Sequence, residues 1–244
     1  MSFEPCPDFD LSALQSFACE ALVTPPDPAD GFIIAMATAF NDLKTIMWLV
    51  EQLNKGKPDN LGEVNAYNGQ WQGMQGHATR MMLALIHEIL VAIDEAGPSV
   101  LESATMTSAV ATLSTASNVA WANLVEAAAA RNSNDPMRKF LVRVRNVIAA
   151  HYSNPGEFLK GYAAFRSPPK TAFNEAAHVS LGKSLERTRF YFADAAVQAY
   201  QNQLDPSGEL FRMANEASRN VNQALRNLVH AYIEVKVSST TSAG

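Results

Sequence analysis

The sequence predicts an all-α fold, and three observations carry the prediction. Apolar residues recur at spacings of three and four over long stretches, and proline and glycine fall between those stretches rather than inside them. Over 244 residues, 48% are hydrophobic and 18% charged, the balance of an ordinary soluble globular chain large enough for one sizeable core. A formal net charge of -5 argues against a surface that coats nucleic acid, which needs a broad basic field. A small basic site is still compatible with it.

Taken in order, a short helix is expected over Leu11–Leu22, stopped by Thr24-Pro25-Pro26-Asp27-Pro28. Phe32, Ile33, Met36, Phe40, Leu43, Met47, Val50 and Leu53 then form one stripe, predicting a helix over Asp30–Asn54. After the turn Lys55–Asn60, a long helix is expected over Glu63–Ala96, closed by Gly97-Pro98, and a fourth over Ser99–Ala130, rich in Ala, Ser and Thr. Ser103–Val125, the longest uncharged stretch, holds too many hydroxyls and amides to suit a bilayer and is read as a packed helix. Arg131–Asn134 is a turn. Asp135-Pro136 opens the next helix, with the acid at its start and proline in the first turn, where a missing N–H is harmless. Pro155–Lys170 is expected as loop or short helix. Helices over Ser184–Gln203 and Pro206–Val235 complete a single domain over residues 1–236, and 237–244 form a disordered tail.

Cys6 and Cys19 lack any metal or redox spacing, and the acidic, proline-containing N-terminus does not look like a secretory signal, so a reduced cytoplasm is expected. Gly182-Lys183-Ser184 is not a phosphate loop, because Ala177 stands where the spacing demands glycine. Glu175 and His178 match one half of a di-iron ligand set, but the chain has no second copy. No nucleophile elbow is found, and neither a metal nor a cofactor is expected. Glu88 is a secondary candidate for a polar site beside His87. Gly69, Gly73 and Gly76 leave one helix face bare, which suits either close packing or a ligand groove.

The segment Arg143–Pro155 carries the most chemistry. It holds Arg145, Asn146, His151 and Tyr152 at a helix end that Asn154-Pro155 terminates. No acid lies between Asp135 and Glu157, whereas Arg138, Lys139, Arg143 and Arg145 do, so the local potential is positive. Arginine presents a planar fork of donors suited to phosphate, and histidine exchanges protons near neutrality. Arg138 and Arg143 are added as candidate phosphate-binding groups.

Arg145-Asn146, four residues and then His151-Tyr152 resembles the signature of the HEPN (higher eukaryotes and prokaryotes nucleotide-binding) superfamily, an arginine followed after four to six residues by histidine. Tyr152 follows the histidine directly, whereas some toxin members carry a tyrosine two residues later. The resemblance implies an HEPN-like helical bundle with additional N- and C-terminal helices, and a homodimer that brings two copies of the motif together. It also implies metal-independent endoribonuclease activity with Arg145 and His151 catalytic, and Asn146 and Tyr152 supporting. RNA would be the substrate. A toxin or defence role, with a neutralising protein partner, belongs to the same implication.

Helix geometry constrains that expectation. Six residues leave Arg145 and His151 about 120° apart on a regular α-helix, so they converge only if the helix loosens or a second chain completes the site. The alternative is a non-catalytic helical interaction or nucleotide-sensing module, in which Arg145 packs its stem and His151 bonds the last carbonyls. Two more cationic stretches stand out: Lys183, Arg187 and Arg189 beside Phe190-Tyr191-Phe192, either core or a stacking surface for RNA, and Arg212, Arg219 and Arg226 on the last helix, a solvated or dimer-facing edge. No membrane contact is expected.

Overall fold

The computed structural model describes residues 16–130, 135–149, 155–167, 169, 171, 174–184 and 187–241, with backbone alone at 147–149 and 240–241. Its class is all-α. A 3₁₀ turn over Cys19–Leu22 leads into α1 (Asp30–Lys55), α2 (Ala66–Leu101), α3 (Ala104–Thr112) and α4 (Thr115–Ala129). Then follow α5 (Pro136–Arg143), a π-helical continuation (Val144–Ala149), α6 (Pro155–Phe165), β1 (Val179–Ser180), β2 (Arg189–Phe190), α7 (Tyr191–Leu204) and α8 (Glu209–Thr241).

Of the predicted α1 stripe, Ile33, Met36 and Leu43 are buried and the rest half-buried, while Ile46, outside that prediction, is buried with them. They meet Met82, Leu83, Ile86, Ile89 and Ile93 of α2 and Val221, Leu225, Leu228 and Tyr232 of α8 in one core. Phe140 of α5 closes that core edge-on against Phe211 of α8, with ring centroids 4.8 Å apart. Both α1 and α2 contain windows with a mean hydropathy of 1.3, so by length and composition each is apolar enough to cross a membrane. In this fold they pack against each other and against α8.

Several boundaries differ from the sequence reading, each for a local reason. The expected fourth helix is two helices, because the Ser103 and Ser114 hydroxyls accept from the N–H groups of Met106 and Ser117 and so start α3 and α4 separately. Gly97-Pro98 bends α2 instead of closing it, since Gly97 takes a left-handed φ of 65° and one further turn follows. Asn65 caps α2 by accepting from Asn68 N–H at 2.8 Å, three residues inside the expected start.

The helix expected from Ser184 begins only at Tyr191. Ahead of it, Arg189-Phe190 pairs antiparallel with Val179-Ser180, and two-residue strands are too short to show an alternating pattern. Glu209 opens α8 after Gly208, with a φ of 71°, while Asp205 reaches forward to accept from Phe211 N–H at 2.9 Å. This helix runs to Thr241, six residues past the expected end. Of the first expected helix, residues 16–22 are described: 16–18 are not helical and Cys19–Leu22 is a 3₁₀ turn; Arg131–Asn134 lies outside the described residues.

Candidate functional site

Asp135 starts the segment that carries the motif: its Oδ1 accepts from Arg138 N–H at 2.7 Å and caps α5 as expected. At Val144 the hydrogen bonding widens to the π pattern and keeps it through Ala149. Such single-turn widenings are frequent at functional sites. The helix therefore loosens within the stretch between the motif arginine and histidine. His151 and Tyr152 themselves lie outside the described residues.

Arg145 stands at the second position of the π turn and reaches across to α2. Its Nε donates to Glu88 Oε1 at 2.7 Å, and its Nη1 donates to Asn146 Oδ1 at 3.2 Å. Arg145 and Asn146 are thus hydrogen-bonded to each other, and Glu88 joins them from 57 residues away. The pair is half open to water, with 37% of the arginine side chain and 50% of the glutamate exposed.

Arg143 is anchored differently. Its Nε and Nη2 donate to the Tyr200 hydroxyl at 3.3 and 3.2 Å, and Nη2 lies 3.8 Å from Glu157 Oε2 on α6. Hydrogen bonding to Tyr200 and the charge of Glu157 raise the pKa of Arg143, while Lys160, then Tyr200, holds the Glu157 carboxyl below its usual range. Burial, followed by the interaction with Glu157, raises the Tyr200 phenol. This network ties α5, α6 and α7 together. Arg138, the other candidate phosphate group, is 4% exposed and sits inside the fold. Arg143 and Arg145 both reach solvent, with 55% and 37% of their side chains exposed.

The bare glycine face of α2 admits close packing at Gly69 and Gly73, and all three glycines also line a cavity. A methyl group on Gly69 would stand 2.6 Å from the Tyr191 ring, and one on Gly73 would stand 2.1 Å from Arg189 Nη2. Arg189 is held there by Asp194, whose Oδ2 accepts from Nε at 2.8 Å, and by Gln70 Oε1 at 3.3 Å. The cationic-aromatic stretch divides accordingly: Tyr191 is half-buried against Gly69, whereas Phe190 and Phe192 are exposed. On α8, Arg212 is engaged by Glu209 and Glu216, so that part of the basic stripe is a neutralised surface.

Among the described residues, no group of three or more His, Cys, Asp or Glu side chains is placed to hold a metal, and Glu175 and His178 acquire no further ligands. Comparison of the chain with models of known families, with curated proteins and with solved structures finds no match.

Proposed function

We infer that this chain is an HEPN-type, metal-independent endoribonuclease in which Arg145 and His151 act at a homodimer interface. The observation that carries the reading is Arg145 itself: an arginine aimed by Glu88 and Asn146 on a π-helical turn, six residues before the histidine. His151 takes the proton of the ribose 2′-hydroxyl as its oxygen attacks phosphorus. The bond to the 5′-oxygen breaks, and that oxygen receives a proton from the second copy of the same histidine. Arg145 stabilises the charge on the phosphoryl oxygens, and the product ends in a 2′,3′-cyclic phosphate. Asn146 holds the guanidinium and Tyr152 supports the pocket.

A twofold contact here has apolar material to use. Met81, one heptad before Glu88 on the same face of α2, and Val142, three residues before Arg145, are both exposed. The chain then works in the cytoplasm on RNA, in a toxin or defence role restrained by a protein partner. One observation favours a second reading, a non-catalytic helical module: Arg145 already has an ion-pair partner in Glu88.

Incubating the full chain with mixed RNAs in EDTA separates the two. Cleavage that persists in EDTA and disappears in both Arg145→Ala and His151→Ala, with cyclic-phosphate ends, supports the nuclease. Intact RNA with a folded, dimeric protein supports the module, and cleavage that requires a metal refutes the mechanism.

A further inference from the structure

Away from Arg145, the first turns of α2, the hairpin, the end of α6 and the outer face of α7 enclose a cavity of about 530 Å³. That lies within the range of roughly 300–1,000 Å³ typical of small-molecule sites. Arg80 on its wall and Glu88 are eight residues apart on α2, about 12 Å along the helix, so the two sites are distinct.

The walls are preset. Tyr191 lies against Gly69 and donates its hydroxyl to Ala66 O at 3.1 Å. Phe192 is held edge-on by Tyr162 and by Phe190, at 6.3 and 6.2 Å between ring centroids. With Phe165 these rings form an aromatic lining that needs no rearrangement to accept a flat molecule. His178, Gln198 and Asn202 supply the polar part. The Nε2 of His178 is buried and has no hydrogen-bond partner, a deficit that a bound donor or acceptor removes. Of the charges on the wall, Asp194 is paired with Arg189, and the two others, Arg80 and Glu63, are of opposite sign.

We propose that this cavity binds a small, flat, uncharged heteroaromatic molecule. Its ring lies against Phe165, Tyr191 and Phe192, and its polar edge bonds to His178, Gln198 and Asn202. The balanced walls offer a net charge no selective partner, and the aromatic lining prefers a planar ring over a puckered one of equal size.

The test is saturation-transfer NMR and calorimetry on the full chain with nicotinamide, indazole and quinazolin-4-one, against cyclohexanecarboxamide and benzoate. At least one flat neutral probe should bind with a Kd below about 1 mM, and cyclohexanecarboxamide should be at least about tenfold weaker. Ala199→Leu fills the cavity and should weaken the probe by more than about tenfold, with an unchanged circular dichroism spectrum. His178→Ala should weaken it by about tenfold and decides the matter alone if the leucine variant does not fold. The proposal is overturned if none of the three binds, if benzoate binds more tightly than all of them, or if both variants bind unchanged.

Discussion

Replacing Lys236 by methionine tests how the last helix is fastened to the first. The side chain is 2% exposed, and its ammonium donates to Pro25 O at 2.6 Å and lies 2.9 Å from Asp30 Oδ1. The same Oδ1 accepts from the Tyr232 hydroxyl at 2.8 Å, and Asp30 Oδ2 accepts from Asp27 N–H at 2.8 Å. Methionine retains the stem but removes the charge, leaving Asp30, with a side chain only 11% exposed, without its cation. Breaking one side of such a pair costs about 3–5 kcal/mol. Tyr232 and the Asp27 amide still serve the carboxylate, which puts Lys236→Met near the lower limit, about 3 kcal/mol. For a chain of this size that is a loss of roughly 6–12 °C in Tm. Asp30→Asn, which strands the cation instead, should cost at least as much. Urea unfolding followed by far-UV circular dichroism measures both, and the Asp30→Asn/Lys236→Met double variant should fall short of the sum by at least about 1 kcal/mol. Additive losses, or a loss below about 0.5 kcal/mol for Lys236→Met, would refute the claim that the pair acts as one buried unit.

The neighbouring carboxylates set the response to acid. Burial acts to raise Asp27, but hydrogen bonds led by the Ala29 amide, with Ser103 and Thr105, outweigh it and leave its pKa at about 2 against an ordinary 3.8. Asp30 is lowered too: burial opposes, and the Asp27 amide, Lys236 and Tyr232 prevail. A carboxyl depressed on folding stabilises above its unfolded pKa and loses that contribution as pH falls through the folded one. Asp27 should therefore contribute about 2 kcal/mol at neutral pH, lost progressively from about pH 5 to pH 2. Asp27→Asn should flatten that part of the stability profile, and an unchanged profile would count against the assignment. Among the glycines, Gly69→Ala should destabilise by about 1–3 kcal/mol, because its methyl would meet the Tyr191 ring. Gly31→Ala on α1 meets nothing within 4 Å and should stabilise by about 0.5–1 kcal/mol, so chemical denaturation of the two variants should move in opposite directions.

Much of the helical framework was legible in the chain because it rests on local chemistry. The stripe from Ile33 to Leu43 and the Asp135 cap depend on residues one to four positions apart, and α1 differs from its expected range only at its last residue. The adjacency of Arg145 and Asn146 is equally local. Where the expectation missed, competing local signals were present but unranked: Ser103 and Ser114 look like any other serines in a helical run until their hydroxyls are seen to cap.

By itself, then, the sequence determined the helical class, the α1 stripe and the candidate motif. Tertiary structure alone decided that Arg138 is buried while Arg143 and Arg145 stay open to water, and which partner holds each. Arg138 turns into the fold, Arg143 binds Tyr200, and Arg145 binds Glu88, in each case according to how α2, α5 and α7 dock. The same docking buries Lys236 against Asp30 and gathers His178 with Asn202 around one cavity. Periodicity and capping are settled within a turn or two of chain. Pairings between residues 57 or 202 positions apart depend on interhelical packing, which no single segment encodes.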